Sequence, residues 1–451
     1  MKKIKYLSAI IFGAFLSTNA NAETIFEAMS SAYNTNPVLQ GGRASSGATN
    51  ENAAIARSGF RPNITANANY TDSHTKNSHT PTADGYAKGY NGQVSQSLFS
   101  GFQTYNAVLS ADNAAKASIN NLYAVEQNVL LDASSAYLDV LRDEAIVKLQ
   151  KNNEKLLKKQ LDETLARFDV GEVTRTDVAQ SRASYAQAQS ELIAAEGNYE
   201  VSKSAYVHYV GKMPENLSRP EELKKFFPSS FADALTYAKS NNFSLKAAER
   251  AFKAAKYDVR SKTGALLPEV SFNAKSGKTE RSSKISNSPS TTSTEYTVNM
   301  AVPLYTGGAT RAKIRQSKYQ KWEAKENLRE AERAVEAGVT ATWESMQANR
   351  SSIDSIKAQV KASAIALEGT QKEEALGNRT VLDVLNAYQA LLQSQVNEVK
   401  ASHDYYISGL QLLQTMGKLT AKNLALNVNY YDPEAHFDNT KGKWLTLEID
   451  D

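Results

Sequence analysis

The chain repeats itself at one constant offset. Asn36 recurs as Asn242, Leu39 as Leu245, Pro62 as Pro268, Tyr90 as Tyr296 and Gly101 as Gly307. Farther on, Gly171 matches Gly377, Asp177 matches Asp383, and Gly211-Lys212 matches Gly417-Lys418. The offset is 206 residues throughout (Asn36 to Asn242), and neither copy needs a gap. Such a tandem means that one long supersecondary unit is built twice. The landmarks are rich in glycine and proline, whose backbones set turns and hinges. The expected organisation is a first copy over 23–217, a second over 218–420 and an unrepeated tail over 421–451.

The first 22 residues read as a leader. Met1-Lys2-Lys3-Ile4-Lys5 is basic, Leu7 to Leu16 is apolar, and Ala20-Asn21-Ala22 is an A-x-A cleavage site. This is a signal peptide, with the mature chain starting at Glu23. Its apolar run is too short for a spanning helix, which needs about 20 residues. Loss of its three lysines takes the formal charge from +4 to +1, too little for a nucleic-acid surface. The chain has no cysteine, hence no disulfide framework or thiolate chemistry. Histidines stand at 74, 79, 208, 403 and 436, with no metal-ligand spacing among them. No cofactor or metal is expected. After the leader no apolar run is long enough to span a bilayer as a helix. A role in a membrane would fall to strands closing a barrel.

Each copy reads helix, strand, strand, helix, helix. Thr24-x-x-Glu27 and Ser230-x-x-Asp233 have the form of capping boxes. Asn36-Pro37 interrupts the first helix, and a second runs to about Arg57, where Gly59-Phe60-Arg61-Pro62 breaks it. Gly264 to Pro268 is the equivalent break. Ile64, Ala66, Ala68 and Tyr70 then alternate with Thr65, Asn67, Asn69 and Thr71, the period of a strand. Residues 72–85 read as a polar loop, and 86–98 alternate again. In the second copy the strands are expected at about 269–278 and 294–304, around a Ser/Thr-rich loop over 281–293. Strands of about ten residues with apolar and polar faces suit an outer-membrane barrel, and also an ordinary hairpin with one wet face.

Phe99-Ser100-Gly101 and Tyr305-Thr306-Gly307-Gly308 open very long helices. Residues 102–168 contain neither proline nor glycine, enough for about 100 Å of helix at 1.5 Å per residue. Gly171 ends this helix, Asp177 to Tyr209 returns, and Gly211 closes the arm. The second arm runs over 309–376, turns at Gly377 and returns over 380–416. The apolar stripes are thin and small-residue, in coiled-coil style. An arm of this shape buries little by itself and needs other arms beside it. Four strands cannot close a barrel either, since membrane barrels start at about eight. Several chains contributing four strands each would account for leader, strands and arms together.

The chain resembles the TolC-type outer-membrane factors of Gram-negative bacteria. The resemblance rests on Leu266-Leu267-Pro268 before a strand, Pro303-Leu304-Tyr305-Thr306-Gly307-Gly308 at a strand-to-helix hinge, and Gly377-Asn378-Arg379-Thr380-Val381-Leu382-Asp383-Val384-Leu385 at a helical tip. Leu413-Gln414-Thr415-Met416-Gly417 at a helix end adds to it. The tail Tyr431-Asp432-Pro433-Glu434-Ala435-His436, with Lys443-Trp444, is similar to members paired with type I secretion systems. The resemblance implies an α+β, tandem-duplicated fold. Three chains would build a twelve-stranded barrel in the outer membrane, continued by an α-helical barrel across the periplasm. It implies a homotrimeric exit duct for proteins, small toxic compounds or both. Its partners would be a periplasmic adaptor, an inner-membrane ABC or proton-driven transporter, and outer-membrane lipid, with no nucleic acid.

By the same resemblance, the tips Val170, Gly171, Glu172, Leu376, Gly377 and Asn378 meet the adaptor. Asp383 takes the place of a constriction-lining aspartate, which threefold symmetry would repeat as a ring. One turn on, where the family often has a second aspartate, this chain has Asn386. Arg379 matches an arginine that ties the inner hairpin to its neighbour, with Thr176 and Asp177 as its expected partners. Glu374 stands where the family has a tyrosine, so one latch contact is missing or rewired. Pro62, Gly101, Pro268, Gly307 and Gly308 are read as strand–helix hinges. Tyr70, Tyr86, Tyr90 and Tyr296 are candidates for an aromatic girdle, or plain strand aromatics.

Two other classes compete. A surface-anchored structural or adhesive coiled coil would carry bulky heptad residues and one terminal barrel, not two internal hairpins. An enzyme would need converging nucleophile, base or metal ligands, and none converge in the sequence.

Overall fold

The computed structural model describes residues 22–77, 80–283 and 290–449. The leader, apart from Ala22, and His79 lie outside the described residues. Eight helices form four pairs of equal length, all offset by 206 residues. α1 (Ile25–Thr35) matches α5 (Phe231–Asn241), and α2 (Pro37–Ser58) matches α6 (Phe243–Gly264). The 67-residue α3 (Gln103–Asp169) matches α7 (Ala309–Ala375). The 36-residue α4 (Arg175–Val210) matches α8 (Val381–Met416). The strands are β1 (Asn63–Asn77), β2 (Thr80–Ser100), β3 (Glu269–Ser283) and β4 (Thr291–Ala301), and a short α9 (Pro433–Thr440) lies in the tail.

Asn36 and Asn242 show why the landmarks recur. Each caps a helix, accepting from the N–H of Val38 or Leu245 at 2.9 Å. Each also donates its amide to the end of the returning helix, Asn36 to the Tyr209 carbonyl at 3.1 Å and Asn242 to the Thr415 carbonyl at 2.8 Å. Pro37 follows at the first helical position, where a missing N–H costs nothing. The capping box at Thr24 is complete. At Ser230 only its first half forms, because Asp233 bonds the Ser230 hydroxyl instead of its N–H.

The four strands make one antiparallel sheet in chain order. Its register sorts the side chains. Ile64 faces Val94, Ala68 faces Tyr90, Val94 faces Ala274, Phe272 faces Val298 and Ala274 faces Tyr296, all on one side. Asn67 faces Asn91, Gln93 faces Lys275 and Asn273 faces Thr297 on the other. Tyr70, Tyr86, Tyr90 and Tyr296 are exposed or half-exposed on the apolar face, and Tyr70 stacks on Tyr86 at 6.0 Å. The strands run farther than expected. Pairing continues through Asp72↔Tyr86 and His74↔Asp84 to Asn77↔Thr80, so the 72–85 loop is largely strand. Lys88–Glu280 at 3.0 Å and His74–Asp84 at 2.9 Å bind this outer end across the ladder. A segment wet on both faces lacks the alternation that marks a strand in sequence, so only its neighbour reveals it. The second hairpin also extends, over Glu269–Ser283 and Thr291–Ala301, into the 281–293 loop. β4 stops at Ala301, short of the expected 304, ahead of Pro303, which has no N–H to donate.

Gly101 and Gly307 stand between sheet and long helices with φ of 59° and 61°. A Cβ at Gly101 would lie 2.3 Å from the Gly264 carbonyl oxygen, so the corner closes only around glycine. Phe102 takes a left-handed φ of 62° where the second copy has Gly308. Pro62 and Pro268 each immediately precede a strand.

The arms are thin. On α4 the buried seam is Ser181, Ala188, Ala195 and Ser202, one residue per heptad. Most bulky apolar burial gathers where α1, α3, α4 and α8 meet the tail, around Met29, Leu130, Tyr137, Tyr206 and Leu410. The tail wraps this junction. Leu419, Leu424 and Leu426 enter the same core, the Ala421 N–H donates to buried Glu126 at 2.8 Å, and the Tyr431 N–H donates to the Tyr33 hydroxyl at 3.0 Å. α9 then lies on α2 and α3, with Phe437 buried against Ala53, Ala115 and Ile119. One side of α8 thus enters the first copy's core, while its other side closes a second cluster with α5, α6 and α7.

Replacing Asn242 with alanine removes a cap and orphans a carbonyl at once. The expected cost is about 1–2 kcal/mol, seen as a lower heat-dissociation temperature of the assembled protein on a gel. Asn242→Asp keeps the cap and loses only the amide donor, so its temperature should fall between wild type and Asn242→Ala.

Candidate functional site

The far ends of the arms are two copies of one turn. α3 and α7 finish with Gly171 and Gly377 at φ of 81° and 80°. The Glu172 N–H returns to the Arg167 carbonyl, and the Asn378 N–H to the Glu373 carbonyl, both at 2.9 Å. These are Schellman closures, in which a left-handed residue lets the next N–H reach the last helical turn. Val170 and Leu376 are left 72% and 78% exposed at the extreme tips.

The returning helices open with capping boxes. Asp177 and Asp383 each accept from the backbone N–H and hydroxyl of Thr174 or Thr380, and receive the threonine oxygen on their own N–H. The N–H and hydroxyl bonds from Thr380 hold the Asp383 carboxyl below its usual range, and nearby Arg379 adds to this. Asp383 is therefore ionised at neutral pH. Val381, Val384, Leu385 and Tyr388 form the buried stripe of α8, packed with Leu157, Ala188 and Leu367. At 100° per residue, Asp383 and Asn386 fall on the side of the helix turned away from that stripe, and Asn386 is exposed.

The ion pairs at the tip differ from expectation. Within the chain Arg379 binds Glu373 at 2.9 Å, across its own turn. Among the described residues it makes no bond to Thr176 or Asp177 of its own chain. The link between hairpins runs instead from Arg167 on α3 to Glu374 on α7, and Arg167 also binds Glu172 at 3.3 Å. Glu374 is held in this ion pair. Arg167 and Glu373 went unnoticed in the sequence, although they occupy the same repeat position with opposite charge. That inversion was the available signal: each copy then pairs its residue with an opposite charge beyond the glycine.

A second inter-hairpin contact lies higher up. His403 on α8 bonds Asp139 on α3 at 3.0 Å through Nε2 and Asp404 at 2.9 Å through Nδ1. Arg142 closes the cluster onto Asp139 and Asp143. Carboxylates at both ring nitrogens favour the form in which both donate, the imidazolium. Burial opposes that charge, but the bonds to Asp139 and Asp404 outweigh it and hold the pKa above 6.5. Glu126, beneath the tail, is pushed up to about 7 by burial, against the opposing pull of the Ala421 N–H. Neither site has a sequence motif, since each joins residues more than 200 positions apart.

Residues 28–211 match the outer membrane efflux protein family, and residues 234–418 match it again. The chain belongs to that family. The matches begin 206 residues apart, one on each copy (28 to 234). Outer membrane efflux protein BepC of Brucella suis is 34% identical over 452 residues, covering 100% of this chain and 98% of its own. Outer membrane protein TolC of Escherichia coli is 26% identical over 446 residues, covering 94% and 89%. In fold, the chain is similar to the Campylobacter jejuni CmeC outer membrane channel, with a TM-score of 0.78 at 14% identity over 98% and 97% of the two chains. The chain is therefore a subunit of an outer-membrane export duct that extends into the periplasm, and not an enzyme. Its four strands belong to a trimeric barrel, and its hairpins to a helical barrel that works with an adaptor and an inner-membrane transporter. The adhesive coiled-coil reading finds no support.

The His403 cluster gives a signed pH dependence. A folded-state pKa raised above 6.5 contributes stability below that value, and the contribution is lost as pH rises through the folded pKa. Glu126 acts with the same sign in a lower window, from 4.5 to about 7. The heat-dissociation temperature should therefore fall as pH rises, and in His403→Gln the fall above pH 6.5 should shrink to the share that Glu126 contributes up to about 7.

Proposed function

We propose that the tips form the closed entrance of the duct, with Asp383 as its charged ring. The observation that carries this is the placement of Asp383. It is an ionised carboxylate held by the Thr380 cap, on the side of α8 turned away from the packed stripe. Three copies around one axis would bring three carboxylates together, favouring cations and repelling one another. Asn386 makes the next ring neutral, so block by cations should be weak. Arg379 and the Arg167–Glu374 pair hold the hairpins in register; Thr176 and Asp177 are the contacts open to Arg379 across a subunit boundary. Val170, Gly171, Glu172, Leu376, Gly377 and Asn378 offer exposed apolar and backbone groups to the adaptor. The hinges Pro62 and Pro268 turn helix into strand, and Gly101, Gly307 and Gly308 turn strand into helix.

The apolar sheet face meets outer-membrane lipid, and the leader directs export, with cleavage after Ala22. The cargo is proteins through type I secretion, small toxic compounds, or both. The efflux naming of the relatives favours small compounds, and the tail around Tyr431 to His436 with Lys443-Trp444 favours secretion. The transporter is accordingly an ABC or a proton-driven pump.

Single-channel conductance in a planar bilayer tests the gate. Wild type should conduct weakly, and Arg379→Ser should raise the conductance several-fold. Asp383→Asn should reduce cation preference, whereas Asp177→Asn, which loses the matching cap, should leave it unchanged. Equal effects of the two aspartate variants would assign Asp383 to capping alone.

A further inference from the structure

The repeat has one conspicuous asymmetry. In the first copy the groove between α2 and α3 is covered by α9, through Phe437 against Ala53, Ala115 and Ile119. The tail exists once, so the equivalent groove between α6 and α7 carries no such helix. There the lining is basic and aromatic, including Phe252, Arg315, Lys318, Tyr319, Trp322 and Lys325. From Arg311 to Lys325 the helix has six cations and one carboxylate, Glu323. Among the described residues none of the six joins a salt bridge; the nearest on this helix is Arg329–Glu326. Tyr319 and Trp322 are exposed, their rings 6.4 Å apart.

The tail beyond α9 has the complementary chemistry. Arg61 anchors it, donating to the Lys443 carbonyl and lying 5.5 Å over the Trp444 ring. After that anchor come Leu445-Thr446-Leu447-Glu448-Ile449-Asp450-Asp451, with Leu445, Leu447 and Ile449 almost fully exposed. Within one chain Gly101, at the top of α3, packs on Gly264 and Leu267. Moved by 206 residues, that contact places Gly307, at the top of α7, on Ser58 and Arg61 of the neighbouring copy. The anchor of one tail therefore stands at the head of the next subunit's α7. Seven extended residues reach about 23 Å. The helix from Gly307 to Trp322 spans about 22 Å.

We infer that residues 445–451 of one copy lie along α7 of the next. Counted down from the anchor, Leu447 lies beside Ile314, Glu448 meets Arg315 and Lys318, and Ile449 covers Tyr319. The result is an inter-subunit clasp just below the sheet. It rests on the trimeric reading.

The cysteine-free chain makes the test direct. Leu447→Cys with Arg315→Cys, and Ile449→Cys with Tyr319→Cys, are oxidised in outer membranes and run on denaturing gels. The control pair is Ile55→Cys with Ala309→Cys, the 206-residue equivalents of the Ser261–Gln103 contact at 3.0 Å. The clasp predicts covalent dimers and trimers from the control and from at least one tail pair, and from no single variant. A linked control with both tail pairs unlinked overturns the clasp while leaving the trimer intact. An unlinked control overturns the subunit arrangement on which the clasp depends.

Discussion

A four-stranded sheet with two open edges cannot stand in a bilayer. β1 and β4 each present a row of backbone N–H and C=O groups that lipid cannot satisfy. Closure by further copies is the only remedy, and it dictates the rest. The sheet must be apolar on one side and polar on the other, as its register shows. The long helices that leave it must pack beside helices of the next subunit. Their seams can stay thin because no arm is ever alone.

The repeat makes that closure nearly free of new design. Contacts made inside the chain between the first and second copies are available again between the second copy and the next subunit's first. Gly101 shows the intramolecular version against Gly264 and Leu267; Gly307 carries the same φ ready for the other. The tail is the one element outside this economy, and its helix α9 fills a groove in only the first copy.

At the tips, one residue type meets two demands. Asp177 and Asp383 are both capping carboxylates, equal in local geometry. What separates them is the packing of the helix behind, which turns Asp383 away from the buried stripe. The charges around them pair within the chain: Glu374 accepts from Arg167, and Arg379 closes on Glu373 within its own turn.

Element order, helix lengths and turn positions were legible in the sequence. They depend on local chemistry, such as a left-handed glycine, a capping threonine, or a proline where no N–H is needed. The alternation of Ile64 to Thr71 likewise marked its strand unaided. The outer ends of the strands were not legible, because residues 72–85 are polar on both faces and pair only where a neighbouring strand lies. Nor were the partners of Arg379, the Arg167–Glu374 link, the His403 cluster or the seat of the tail on α2 and α3. Each joins groups that local pattern cannot rank, and tertiary packing alone brought them within bonding distance.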